Sequence, residues 1–405
     1  MGTGARAVRM HCPLFIATLI VAAAGGATPP RSRPPTPVAL LVEDLPTTTQ
    51  ERLAPYQPPA TVVRPLVRSV LARDAAFAAV APDGTSLFIA NYGRGARLVT
   101  LPARERVRLP VSFARQMVFS PTSLRLAAID EEQALSVYSV HDGALLHRVA
   151  GPWRRVRFKS PNQLLAWDGC ALWSIGLADG GRRERLVPSP CGNAESSGSG
   201  RLWLVAETAT PNADPTSAAR ALYLVDTESR SINLLFGASA EDPIAEARLV
   251  GERFACFVRR PRAQPGAALY CIDLAGRGAR LVAAGPVASI VADDGQSQLG
   301  FLDLDSPRTA SLFVADLDAW SLRRLGPTGA STFAFLPGGR RLVGFDGGRG
   351  GAVLLDVGGR FRLELLAADE PVTSIAVVPG TDRRLLAIRA HKGWSELVDL
   401  DGLPE

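Results

Sequence analysis

Residues 286–327 read PVASIVADDGQSQLGFLDLDSPRTASLFVADLDAWSLRRLGP, and the expected fold follows from how this stretch divides. Ala288 to Val291 is a short apolar run that stops at the turn residues Asp293, Asp294 and Gly295. Leu299 to Leu304 is a second run, ended by Ser306-Pro307, and Leu312 to Ala315 is a third. After a turn over Asp316 to Ala319, Leu322 to Leu325 makes a fourth. Four short strands with turn chemistry between them, recurring about every 40 residues, are the sequence pattern of one β-propeller blade.

Outward from this unit, the third-strand ending recurs. Apolar runs close at Pro102, His141, Gly176, Asp226, Asp273, Asp316, Asp356 and Asp399, at intervals of 35 to 50 residues. First-strand turns stand ahead of most of them, as Pro82-Asp83-Gly84, Ser120-Pro121-Thr122, Ser160-Pro161-Asn162, Pro337-Gly338-Gly339 and Pro379-Gly380-Thr381. Around Gly198-Ser199-Gly200 and Gly251-Glu252 the turn signal degenerates. Fourth strands follow seven of the eight copies, and the last copy has none of its own before Glu405. Thr61 to Leu71 (TVVRPLVRSVL) is strand-like and precedes the first repeat, so it is expected to fill the vacancy and cover an exposed edge. Pro65 is tolerable on such an outer strand. The expectation is an all-β fold, an eight-bladed β-propeller over residues 62–405 closed by an N-terminal strand, with seven blades plus irregular structure as the alternative.

The 405 residues are 47% hydrophobic and 21% charged, ample for a large core and unlike a disordered chain. Arg6, Arg9 and His11 precede an apolar run from Leu14 to Ala24 and a small-residue exit, Gly25-Gly26-Ala27. That order describes a secretory signal peptide over residues 1–27, with cleavage after Ala27 or Ala24; an uncleaved membrane anchor is the alternative. Cys12 stands before the apolar run, so the layout for bacterial lipid attachment is missing. Residues 28–61, opening with TPPRSRPPTP, read as a Pro-rich linker. The expected location is periplasmic or secreted.

Removal of the signal leaves Cys170, Cys191, Cys256 and Cys271, an even number in an oxidising compartment. Cys256 and Cys271 fall on the second and third strands of one blade, where a hairpin sets them side by side. Cys170 lies near a second-to-third-strand turn and Cys191 in the connection to the next blade, and both loop types emerge on one face. The expected pairs are therefore Cys170 with Cys191 and Cys256 with Cys271, against the alternative of four buried free thiols.

The Pro82-Asp83-Gly84 turn, followed by an apolar second strand and third strands ending in Val-Asp, resembles the bacterial TolB-like and WD-repeat-like propellers over about residues 62–405. The resemblance implies a binding platform; separately, no cofactor is expected.

The recurrent Asp226, Asp273, Asp316, Asp356 and Asp399 sit where third strands turn into fourth strands, where a carboxylate caps the following amides. The Asp303/Asp305 and Asp316/Asp318 pairs close successive strands and belong at opposite ends of a hairpin arm, which argues against one shared calcium site. His141 and His147 belong to one repeat and His391 to a distant one, so neither a zinc cluster nor a Ser-His-Asp relay is expected. No G-x-S-x-G elbow occurs. Eight blades resemble the quinone-cofactor dehydrogenases, but that family's repeated Thr-Gly and Trp signature is absent. Catalytic residues and metal ligands are accordingly expected to be none.

Function is sought where repeats are longer than they need be. Thr208 to Arg220 (TATPNADPTSAAR) and Arg259 to Ala267 (RRPRAQPGA) both fall between second and third strands, hence on one face. Arg220, Arg259, Arg260 and Arg262 are the candidate partner-binding residues, able to grip carboxylate or phosphate; a solvated, tolerated insertion is the plainer reading. Arg154, Arg155, Arg157 and Lys159 alternate with Val156 and Phe158, as on a half-exposed strand. Residues 62–190 carry 18 Lys+Arg against 10 Asp+Glu, and residues 191–405 carry 22 against 26, so the first half suits an anionic partner better. The expected function is a non-enzymatic binding or scaffolding module for a protein or an anionic envelope polymer, without nucleic acid. The alternative is a lactonase-type hydrolase with a central-channel site, which requires carboxylates or histidines converging there.

Overall fold

In this computed structural model the described residues are 40–41, 52–53, 60–62, 67–72, 77–91, 95–101, 105–111, 114–208, 218–239, 241–260, 266–276, 278–293, 295, 297–306, 309–328, 332–345, 351–366, 372–377, 384–389 and 395–400. Every regular element among them is a strand. The first four are β1 (Leu40–Leu41), β2 (Arg52–Leu53), β3 (Ala60–Val62) and β4 (Val67–Ala72). Thereafter the strands fall into antiparallel arrays of four, taken in chain order.

The first array is β5 (Phe77–Val80), β6 (Ser86–Asn91), β7 (Gly95–Thr100) and β8 (Arg106–Leu109). The second is β9 (Gln116–Phe119), β10 (Arg125–Ile129), β11 (Leu135–Ser139) and β12 (Leu145–Val149). The third is β13 (Arg155–Ser160), β14 (Gln163–Trp167), β15 (Ala171–Gly176) and β16 (Arg182–Pro188). The fourth, β17 (Gly192–Ser196), β18 (Leu202–Thr208), β19 (Ala219–Asp226) and β20 (Ser231–Gly237), joins the fifth through one pair, Ala219 with Ile244. The fifth is β21 (Ile244–Val250), β22 (Phe254–Arg259), β23 (Ala267–Asp273) and β24 (Gly278–Gly285). The sixth is β25 (Val287–Ala292), β26 (Gln298–Ser306), β27 (Thr309–Asp316) and β28 (Ser321–Thr328), the four strands read from the opening stretch. The seventh is β29 (Thr332–Phe335), β30 (Arg341–Phe345), β31 (Ala352–Asp356) and β32 (Phe361–Leu366).

The last array takes β33 (Val372–Val377), β34 (Arg384–Arg389) and β35 (Ser395–Asp399) from the far end of the chain and β4 from the front. β4 pairs antiparallel with β35, Ser69 opposite Leu397 and Val67 opposite Asp399. Three short segments of the stretch expected to be linker also join array edges: β1 lies parallel to β20, β2 to β28 and β3 to β32. Each places a paired strand where an edge would otherwise expose its amides and carbonyls.

Burial along the strands explains why the sequence reads as it does. Second and third strands are almost continuously buried, as in Phe254 to Val258 of β22 and Leu135 to Tyr138 of β11. Fourth strands are less continuously buried, from the mostly exposed β16 to the half-buried β20. A strand covered on both faces needs an unbroken apolar run, whereas a rim strand does not. The hydrophobic clusters lie between consecutive arrays: one joins the second to the third through Val137, Val156 and Phe158, and another joins the fourth to the fifth through Phe236, Phe257 and Tyr270. In the latter, Phe257 stacks on Phe236 at 4.6 Å and on Tyr270 at 5.6 Å. First strands touch in chain order from β5 through β9, β13, β17, β21 and β25 to β29, and β33 touches β5.

At one end of the arrays are the turns between first and second strands and between third and fourth strands. The repeated aspartates work there as expected. Asp226 Oδ1 accepts from the amides of Glu228 (2.8 Å) and Ser229 (3.2 Å), Asp273 Oδ1 from Ala275 (2.9 Å), and Asp316 Oδ1 from Asp318 (3.0 Å) and Ala319 (2.9 Å). Arginines at this end tie several arrays to the next. Arg125 donates to Pro161 O and Asn162 Oδ1, both at 2.8 Å. Arg201 meets Glu252 at 3.3 Å, Arg253 pairs with Asp318, and Arg323 donates to Gly358 O at 2.5 Å.

Candidate binding site at the insertion end

The opposite end carries the turns between second and third strands and the connections into first strands. Ile244, which opens β21, stands opposite Arg259 at the end of β22 and also opposite Ala219 at the start of β19. Both long insertions leave the sheet at these residues, so their described ends meet. The Cys170–Cys191 disulfide lies at the same end, with Cys191 O accepting from the Thr208 amide at 3.1 Å. The second disulfide joins Cys256 and Cys271, which face each other across β22 and β23. Both expected pairs are formed.

Beside this junction is a cavity of about 430 Å³ bounded by β13, β17 and β21. Its polar walls are Arg155, Asn193, Glu195, Glu246, Arg248 and Arg260; Ala194, Ala206, Ala219, Ala245 and Ala247 leave the space. Arg248 is the hub, with Nη1 3.1 Å from Glu195 Oε2 and Nη2 2.7 Å from Glu246 Oε1. Arg248 Nη1 also donates to Ala247 O at 2.9 Å, and Glu246 Oε2 accepts the Ile290 amide from the next array at 3.2 Å. The two carboxylates therefore converge but are held by one guanidinium. Among the described residues Arg155 and Arg260 have no ion-pair partner, and both are exposed. Nearby, the Tyr223 phenol is pushed up by burial and then by Glu207, whose Oε2 accepts its hydroxyl at 3.4 Å.

The four arginines singled out from the sequence are placed differently from one another. Arg260 lines the cavity, and Arg220 is exposed on β19. Arg259 is turned inward to Asp242 at 2.9 Å, with its side chain 17% exposed. Arg262 lies outside the described residues. Arg155, read as one member of an alternating strand, does alternate with buried Val156, and it reaches the cavity wall. Glu195, Glu246 and Arg248 were not singled out. Their signal was charge within a first strand, where Ala288 to Val291 of the sixth array carries none.

A second cavity, of about 380 Å³, lies at the turn end between the sixth and seventh arrays and includes Asp316, Arg323, Asp356 and Arg360. These groups hold turns: Arg360 Nη2 is 3.1 Å from Asp356 Oδ1, which is 2% exposed. Among the described residues no three His, Cys, Asp or Glu side chains gather as a metal-ligand set. No helix among them is long and apolar enough to cross a membrane.

No family model matches the chain, and no curated protein matches it in sequence. Solved structures do. The Dos1 propeller aligns with a TM-score of 0.60 and 13% identity over 85% of this chain and 96% of that one. An oligogalacturonate lyase in complex with manganese gives 0.54 and 13%, over 84% and 97%. The β-propeller domain of Cps50 (Swd1) from Myceliophteria thermophila gives 0.51 and 12%, over 82% and 99%. With the four-stranded antiparallel arrays, these likenesses establish a β-propeller fold. WD40 propellers and lyases both appear among the neighbours, so the likeness carries the architecture alone.

Proposed function

We propose that this chain is an exported eight-bladed propeller, closed by β4 in the last blade, that binds a protein partner or an envelope polymer through its insertion end without catalysing a reaction. The observation that carries this reading is the meeting of two insertions beside a charged cavity whose outer arginines, Arg155 and Arg260, have no ion-pair partner among the described residues. The β4–β35 ladder and the touch of β33 on β5 support closure. Two disulfides fit an oxidising, exported environment. WD40 neighbours favour a protein-interaction module, and the TolB-like reading of the Pro82-Asp83-Gly84 turn belongs with this proposal. In that turn Gly84 adopts a φ of 69° while Asp83 Oδ1 accepts the Thr85 amide at 2.8 Å.

Deletion of residues 210–218 with Arg220, Arg260 and Arg262 replaced by alanine is the test. Arg259 is kept because Asp242 depends on it. Material purified from the native envelope and read by mass spectrometry should lose its co-purifying partner; undiminished recovery would remove the insertion end as the binding face.

One observation favours a second reading. Glu195 and Glu246 line one cavity, as a channel hydrolase would require. Their shared engagement by Arg248 weighs against either serving as a base. Turnover of lactone or glycoside substrates that is abolished by Glu195→Gln and by Glu246→Gln would replace the binding reading with this one.

A further inference from the structure

We propose that the cavity between β13, β17 and β21 is a pocket for a carboxylate that carries a neighbouring N–H donor, the chemistry of a polypeptide C-terminus. This rests on the binding-module reading and deepens it.

Three guanidiniums and two carboxylates wall the cavity. Arg248 bridges Glu195 and Glu246 at 3.1 and 2.7 Å, so one cation offsets one of the two negative charges and holds both acids in place. Arg155 and Arg260, which have no ion-pair partner among the described residues, then give the wall a surplus of one positive charge, three guanidiniums against two carboxylates. A carboxylate is the planar, bidentate acceptor that a guanidinium fork matches, and it relieves the repulsion between two like charges. The pocket is therefore biased toward an anion even though its wall contains two acids.

The acids narrow the class further. Glu246 is fixed through both oxygens, by Arg248 and by the Ile290 amide at 3.2 Å, so it cannot swing away. A carboxylate oxygen has more than one acceptor position, and the wall therefore keeps acceptors beside the arginine donors. A ligand that places an N–H next to its carboxylate satisfies both. Fully ionised phosphate and sulfate offer acceptors alone and leave the acceptor positions of the glutamates unmet. The volume, about 430 Å³, lies within the range of pockets that take small ligands, roughly 300–1,000 Å³. Its alanine walls leave room for a chain end.

The test uses the purified full-length exported protein and three probes measured by isothermal titration calorimetry. They are acetyl-Ala-Ala-Ala with a free carboxyl terminus, the same peptide amidated, and acetyl-alanine. The free-acid peptide should bind, and the amide should bind at least about 10-fold more weakly, the loss expected when charge-assisted hydrogen bonds are removed. Arg155→Gln and Arg260→Gln should each weaken the free acid by about 10-fold while leaving the amide unchanged. Raising salt from about 50 to 500 mM should weaken the acid alone, a readout that needs no variant.

Peptide binding far above acetyl-alanine assigns the pocket to polypeptide ends, and equal binding assigns it to small N-acyl acids; either supports the shared chemistry. Equal binding of acid and amide, no binding by the wild type, or folded variants that bind the acid as tightly as wild type would overturn the proposal. If insertion deletion abolishes partner recovery while the peptides fail, only the pocket falls. If the peptides bind while partner recovery ignores the insertions, only the docking face falls.

Discussion

The turn end and the insertion end of the arrays use the same residue types for opposite purposes. At the turn end, aspartates recur in register and cap amides, and arginines such as Arg125, Arg201, Arg253 and Arg323 are engaged by the next array. At the insertion end, the charged residues belong to particular arrays and do not recur. Arg248 locks two acids together there, while Arg155 and Arg260 stand exposed on one cavity. The charged residues that repeat with the fold hold the fold; of those that appear once at the insertion end, Arg248 and Arg259 are engaged by nearby acids, while Arg155 and Arg260 face the cavity.

The largest expected effect breaks the staple of the insertion end. Replacing Cys170 and Cys191 with serine opens a link across a sequence separation of 21, which should cost about 3 kcal/mol in a denaturant titration. Hydrogen exchange should rise at Gly192 and at Asn193, which borders the cavity, and stay unchanged at the turn end. Asp273→Ala is the matching cut at the turn end. Its carboxylate is 2% exposed and accepts the Ala275 amide at 2.9 Å, so stability should fall by about 2 kcal/mol while carboxylate binding at the cavity is unaltered. Loss of binding on this change would blur the distinction between the two ends.

The smallest effect is a pH signature. The Asp142 carboxyl is held below the usual aspartate range by the Ser139 hydroxyl and then by the Ala144 amide. Because its folded value is depressed, its contribution is complete above the unfolded value and disappears as pH falls through the folded one. The stability gap between wild type and Asp142→Asn should therefore close on acidification, and an NMR titration of the carboxyl should show a low midpoint. A gap that persists at the acid limit would mean that the turn is held by something else.

Much of the fold was legible because strand burial writes itself as pattern. The runs Ala288 to Val291, Leu299 to Leu304, Leu312 to Ala315 and Leu322 to Leu325 each sit inside a strand of the sixth array, whose ends add mainly polar residues such as Gln298, Thr309 and Ser321. The cysteine pairs followed from placing each cysteine within a repeat. What stayed hidden had no local period. β1, β2 and β3 are two or three residues long and owe their strand character to the edge beside them. The inward turn of Arg259 depends on Asp242, which precedes β21 and reaches it only through the fold. The cavity draws Arg155, Glu195 and Arg248 from three arrays, and no spacing along the chain announces that they meet.

The contrast between the two ends presupposes a closed wheel, and the most direct measurement is made where the front of the chain meets its far end. Cysteines placed at Ser69 and Leu397, opposite each other on β4 and β35, should oxidise to a bond that peptide mapping recovers and that raises the melting temperature. Both thiols remaining free in folded, oxidised protein would show that β4 does not complete the last blade.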